Sequence, residues 1–354
     1  MSVINVSNAS NSLVGTLGQL VGNSQSLQTR LTALSEQSST GLVSQTYGGL
    51  GSSAQISLDL NPQLQAITTY GNNISAVTGK LTASQQALDQ LQQIATTFFS
   101  GTINMAGQTS QQINAMQQQA RTALTQVQGL LNTQVGDSYI FAGQDSSNPP
   151  APDTQFNAYV TSIQTAVTAN IATSGAGTIT ATLTAASATS PFSATLGTAP
   201  QTVPIGFAAS TNAGVVAGTN GYTISAGAGS TGSYVRDLIR SLATIGALTA
   251  ADTTTNTTES ANFAAVVSDV RSNLGNTIND ISGESAGLGN VQQQLTADQT
   301  RLADTQNALT TQVSSVQNVD AATTASALTQ TQTQLQISYK LIASMQQLSL
   351  LQYL

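Results

Sequence analysis

Aliphatic side chains recur every seven residues through three long stretches of the chain, and that spacing predicts helices that pair along a seam. Val6, Leu13, Leu20, Leu27 and Leu34 form the first row, with Leu17 and Leu31 at the intermediate position. A repeat of this kind keeps one face of a helix toward a partner, as the a and d positions of a coiled coil do. The row stops at Ser38-Ser39-Thr40-Gly41, where glycine favours a helix end. Gly48-Gly49-Leu50-Gly51 then reads as a flexible loop. Leu60, Ile67, Ile74, Leu81 and Leu88 form the second row, predicted as a helix that starts at Pro62, since proline is tolerated in a first helical turn. A third helix is predicted from about Gln111 to Val135, ending at Gly136-Asp137, with Tyr139-Ile140-Phe141-Ala142-Gly143 as a short strand or turn after it. The longest row is Val267, Leu274, Ile281, Leu288, Leu295, Leu302, Leu309 and Val316. Gly275, Gly283, Gly287 and Gly289 weaken its first half and are expected to be able to break it. Leu328, Leu335 and Ile342, with Met345 and Leu348, mark a final helix that runs to the chain end.

Proline punctuates this pattern. All seven prolines except Pro62 fall between 149 and 204, so long helices are permitted on either side. The segment from Thr154 to Val235 carries no charged residue and is rich in Thr, Ala, Ser and Gly. Runs such as Thr178–Leu183 and Tyr222-Thr223-Ile224 read as strands. The predicted middle is therefore small and mostly β, with helices near 156–172 and 233–247. The fold class that follows is mainly α: a long antiparallel helical coiled-coil rod made by the N- and C-terminal segments, with a small α+β domain inserted between them.

Composition narrows the chemistry. The 354 residues include no Cys, His or Trp, and 6% are charged, with a net charge of -7. Ordinary chains carry roughly 25% charged residues, so the polar surface here is built from Gln, Thr, Ser and Asn. The eight Lys and Arg are scattered, which argues against a nucleic-acid partner. Without His or Cys, a Ser–His–Asp triad, a thiol nucleophile and the common zinc sites are excluded. Asp298 and Asp304 flank Arg301 at helical spacing and read as a local ion-pair cluster, while Glu284, in a Gly-rich stretch, is expected to face solvent. The Gly48–Gly51 loop lacks the Lys and Ser/Thr of a phosphate loop. No cofactor, metal or enzyme activity is expected. No basic and apolar leader opens the sequence and no apolar run approaches the roughly 20 residues of a bilayer span, so neither a cleaved signal nor membrane insertion is expected.

The two ends are alike in another way. Residues 1–29 hold no charge, and 321–354 hold only Lys340. Apolar seams on uncharged terminal helices suit packing against other subunits better than exposure to water. The packing residues expected are Leu13, Leu20, Leu27, Leu34, Leu328, Leu335, Ile342 and Leu348.

In three segments the chain resembles bacterial flagellins and the flagellar hook–filament junction proteins. They are Ser39-Thr40-Gly41-Leu42-Val43 after the first seam, Tyr139-Ile140-Phe141-Ala142-Gly143, and the tail from Ser338-Tyr339-Lys340 to Leu354. The resemblance covers roughly 1–147 and 258–354. The tail and the Tyr139–Gly143 segment look more like the junction type (hook-associated protein 3) than the main filament flagellin. One departure is the stretch Leu42–Gly49, which lacks the basic residue and the acidic, proline-containing loop usual in the family. The resemblance implies terminal arms at 1–45 and 318–354, a helical rod at 46–148 and 258–317, and an outer inserted domain at 149–257. It also implies export through the flagellar type III channel with a chaperone, an extracellular place in the flagellum, and as partners other copies of the chain, hook-associated proteins and flagellin. Main filament flagellin is the alternative; a coiled-coil adaptor and a membrane-active secreted protein are more distant ones, the latter disfavoured because its helices would carry Lys and Arg on the polar face.

Overall fold

The computed structural model describes residues 4–196, 199–213, 215–217, 229–254 and 257–351; the side chains of 4–14, 254 and 348–351 lie outside that description. By packing, the chain divides into two units, Met1–Ile67 with Ala303–Leu354, and Thr68–Leu302.

In the first unit, α1 runs Ile4–Thr40 and ends where Gly41 takes φ +72°. Left-handed backbone costs glycine nothing, so the helix stops where the sequence says it should. A short 3₁₀ turn at Tyr47–Ser53 buries Leu50 where a flexible loop was expected. Helix α2, Ala54–Thr102, follows directly and begins eight residues before Pro62. The predicted start at Pro62 is therefore wrong. Proline costs a helix one backbone hydrogen bond, and burial of Leu60 and Ile67 on either side outweighs that loss.

In the second unit α2 continues, and α3 spans Ser110–Leu131. Thr109 caps α3 by accepting from the Gln112 amide, while the Gln112 side chain accepts from the Thr109 amide at 2.9 Å. The helix ends four residues before the predicted Val135. Beyond it, β1 (Gln134–Val135) and β2 (Ser138–Tyr139) form an antiparallel hairpin turned by Gly136 at φ +60°. Asn132 enforces that end by exchanging side-chain hydrogen bonds with the Ala151 backbone, both at 2.9 Å.

The middle departs from the mostly β expectation. Its described residues form α4 (Asp153–Asn170), α5 (Gly175–Ala188), one antiparallel pair of β3 (Thr202–Pro204) with β4 (Ser210–Asn212), α6 (Tyr234–Ala247) and α7 (Ala251–Thr254). Thr178–Leu183, read as a strand, lies inside α5; Tyr222–Ile224 lies outside the described residues. Threonine makes a helix here because its hydroxyls bond the carbonyls a turn back, Thr178 to Ser174 at 2.8 Å and Thr184 to Thr180 at 2.8 Å. Ser174 caps the helix by accepting from the Gly177 amide. The mainly α class stands, with the β element confined to two short pairs among the described residues.

Helix α6 is buried on all sides and packs against α3, α4 and α5. It carries two arginines into this core. Arg240 donates to the Gly229 carbonyl at 2.8 Å and lies 3.9 Å from Asp237 and 3.7 Å from Asp269. Burial raises the Asp269 carboxyl above its ordinary range even though Arg240 pulls it down. Arg236 donates to the carbonyls of Ala186 and, at 2.7 Å, Thr189, with its guanidinium 6.0 Å from the Tyr159 ring centre.

Helix α8 runs Thr257–Gln317 without the break its glycines allowed. A Cβ on Gly275 would come within 3.4 Å of the Phe99 ring, so the residue lets α2 and α8 approach closely. Leu274, Ile281, Leu288 and Leu295 are all buried and carry the helix through. Glu284, expected in solvent, is 0% exposed. It falls three residues after Ile281 and four before Leu288, on the same seam. Burial, helped by the nearby charges of Glu284 and Asp280, pushes the Tyr234 phenol well above its usual range. Asp298 pairs with Arg301 at 2.8 Å. Because Leu288 sits in the centre of this core, Leu288→Ala is expected to destabilise the 68–302 unit by about 2–5 kcal/mol, read as a lower urea midpoint at unchanged slope.

Candidate assembly interface

The terminal part of the first unit is a helix pair. Helix α9 spans Ala321–Leu351 and lies antiparallel to α1. Their root is a backbone clasp: Val319 N–H donates to the Gly41 carbonyl at 2.9 Å, Val43 N–H to the Gln317 carbonyl at 2.7 Å, and Leu42 bridges Asn318. Further out, the Ser24 and Ser338 hydroxyls share a hydrogen bond at 2.7 Å, and the Gln28 amide donates to the Tyr339 hydroxyl at 2.8 Å.

Burial follows a heptad on both helices. On α1 the shielded positions of that heptad are Leu17, Leu20, Ser24, Leu27, Leu31 and Leu34, with Gln37 beside them; on α9 they are Thr324, Leu328, Thr331, Leu335, Ser338, Ile342 and Met345, with Ala327 beside them. Counting from Ser24 opposite Ser338 sets Leu27 against Leu335 and Leu34 against Leu328. Leu20, Leu27, Leu34, Leu328, Leu335 and Ile342 thus fall on one seam. Of these Leu335 alone is buried, and the others stay half exposed. Leu13 and Leu348 lie where side chains are outside the description. The apolar count missed the polar members of the seam, Ser24, Thr324, Thr331 and Ser338, although their heptad position marks them. Thr331 is satisfied within its own helix, donating to the Ala327 carbonyl at 2.7 Å.

A second apolar set lies outside the seam, beside or behind it. Ile337 is 60% exposed, Leu341 48%, Tyr339 45% and Val21 41%. Only three charged side chains stand on the described parts of these helices: Arg30, Glu36 and Lys340. Among the described residues no group of three or more potential metal ligands occurs. Also among them, no helix is long and apolar enough to cross a membrane.

Helix α9 is started by Asp320. Its carboxylate accepts from the amides of Thr323 at 3.3 Å and Ala322 at 2.9 Å, and these bonds hold the carboxyl below its ordinary range. A lowered folded-state pKa contributes stability above the unfolded value of about 3.9, and that stability is lost as pH falls through the folded value. Amide exchange at Ala322 and Thr323 is therefore expected to quicken below pH 4 more than at other helix starts. Asp320→Asn keeps the cap and should flatten that dependence.

Comparison with known proteins bears on the same helices. The family model of the bacterial flagellin N-terminal helical region matches residues 15–146, and that of the bacterial flagellin C-terminal helical region matches 272–354. A solved structure provisionally described as a flagellar hook-associated protein from Vibrio parahaemolyticus is similar at 12% identity and a TM-score of 0.43, over 72% of this chain and 96% of that one. No curated protein sequence matches. Matched at both ends over more than half of its 354 residues, with α9 and most of α1 inside the matched regions, the chain belongs to the bacterial flagellin family, a family of flagellar structural subunits.

Proposed function

We propose that the chain is exported through the flagellar type III channel and polymerises through α1 and α9, taking its place at the hook–filament junction. The observation that carries this reading is the incomplete burial of the terminal pair. Of the six predicted packing leucines and isoleucines whose side chains are described, five are half exposed, and Val21, Ile337 and Leu341 are left in water. Apolar surface gains roughly 25 cal/mol per Å² when covered, and a neighbouring arm covers both sets at once. Leu13, Leu20, Leu27, Leu34, Leu328, Leu335, Ile342 and Leu348 are the packing residues in this reading. Arms at 1–45 and 318–354, a rod at 46–148 and 258–317, and an outer domain at 149–257 are its domains. The junction position is supported by the Tyr139–Gly143 segment and by the tail, which resemble the junction type. In that place the partners are further copies of the chain, hook-associated proteins and flagellin, with a chaperone before export, and the protein works outside the cell.

Electron microscopy of the purified protein with sheared filament seeds and with hook ends tests the reading. Binding to hook ends without elongation is expected, whereas long tubes on the seeds would make it a filament flagellin. Leu335→Asp or Ile342→Asp should abolish incorporation while leaving the 68–302 unit folded by circular dichroism. Wild-type incorporation of either variant would overturn the packing assignment.

A further inference from the structure

Buried charge in the 68–302 unit is gathered on one contact, between α6 and α8. Along α8, Asp269, Asn273, Thr277, Asp280 and Glu284 follow one another at steps of three and four residues, beside the apolar row of Leu274, Ile281 and Leu288. Along α6, Tyr234, Asp237, Ser241 and Thr244 keep the same spacing with Arg240 among them, and all five are buried. The two stripes run antiparallel. Arg240 lies 3.7 Å from Asp269 at one end, and Tyr234 stands within reach of the Asp280 and Glu284 charges at the other. In a chain with 6% charged residues, this contact holds four carboxylates, Asp237, Asp269, Asp280 and Glu284, and the single guanidinium of Arg240. The neighbouring elements direct their ionisable groups elsewhere. Arg236 donates to the carbonyls of Ala186 and Thr189, Arg121 of α3 to the Gly246 carbonyl at 3.1 Å, and Tyr159 of α4 to the Arg236 carbonyl at 3.2 Å. On α2, Lys80 is engaged with Ser138 and Gln201, and Asp89 is exposed. Helix α5 carries no ionisable side chain.

We infer that the seating of α6 on α8 is proton-linked: protons taken up by the carboxylates of this contact tighten it, and their loss loosens it. The inference concerns the interior of this unit and is independent of assembly through the arms. Fully ionised, the contact holds a net of three negative charges, which repel one another more strongly inside the unit than in water. Arg240 lies between Asp237 at 3.9 Å and Asp269 at 3.7 Å, so its one positive charge is shared. Asp237 also accepts from the Ser230 hydroxyl at 2.5 Å and the Thr231 amide at 2.9 Å. Asp269 accepts from the Asn273 side-chain amide at 3.0 Å, and burial outweighs both that bond and Arg240 in holding its carboxyl above the ordinary range. A carboxyl raised above the unfolded value of about 3.9 favours the folded state fully below that value, and the benefit is lost as pH rises through the folded one. This is the reverse of Asp320 at the start of α9, whose lowered carboxyl loses its contribution in acid.

The test is amide hydrogen exchange of the full chain from about pH 8 to about pH 5, corrected for the intrinsic pH dependence of exchange. Protection of α6, Tyr234–Ala247, is expected to rise several-fold toward the acid end. Asp269→Asn and Glu284→Gln are each expected to flatten that rise, whatever they do to the absolute level of protection, and the double variant to flatten it further. Asp89→Asn, on the exposed side of α2, should leave the slope unchanged. Protection of wild-type α6 that stays level or falls in acid would overturn the inference without recourse to any variant. A full slope in both Asp269→Asn and Glu284→Gln, or an equal flattening by Asp89→Asn, would overturn the assignment to this contact.

Discussion

Two helices side by side can bury only the stripes that face each other, and the terminal pair α1–α9 is built within that constraint. A bundle of four would shield both flanks of every helix; a pair leaves each helix half in water. Here the constraint is felt strongly, because the exposed halves are not covered with charge. Lys and Glu usually make such surfaces comfortable in water, and α1 and α9 carry three charged side chains between them over the described residues. What stands on the backs is Gln, Thr and Ser with Val21, Ile337 and Leu341 among them. Such a surface is soluble enough to persist and apolar enough to gain from contact.

The second unit solves the opposite problem. Helix α6 has no free face, and its two arginines must be satisfied in the interior. Carbonyls at Gly229, Ala186 and Thr189 take guanidinium protons, and Asp237 and Asp269 supply charge. Breaking one member would strand the rest without water, so the network favours one arrangement of the helices around α6.

How much of this was legible in the sequence depended on which residues were counted. Rows of Leu, Val and Ile at sevens located α1, α8 and α9 and their seam, because burial there acts on every turn. The same count overlooked Ser24, Thr331, Ser338 and Glu284, which occupy seam positions without being apolar. Helix α5 was misread for a different reason: Thr favours strands on average, but a threonine whose hydroxyl finds the carbonyl a turn back loses that bias. Ser174 as cap was the available signal. Proline at 62 suggests a helix start, but burial of Leu60 and Ile67 lets the helix run through it. Of the proposed packing residues, the leucines were visible from spacing alone, whereas the exposed stripe through Ile337 and Leu341 emerges only once the partner helix occupies the other face.

Scarcity of charge also changes what a single charge means. On an ordinary surface, Lys340 would be one of many solvated ammonium groups and its position would carry little information. On an arm with no other cation in its 31 residues, it marks a place on an otherwise repetitive helix. Apolar seams of leucine at sevens are degenerate, since a slip of one heptad presents nearly the same surface; isolated charges break that degeneracy at small cost in stability. Within one molecule the clasp at Gly41–Val319 fixes the register of the pair, leaving Lys340, Glu36 and Arg30 free of that task. Each marks one turn of its helix apart from the next, which a row of leucines at sevens cannot do.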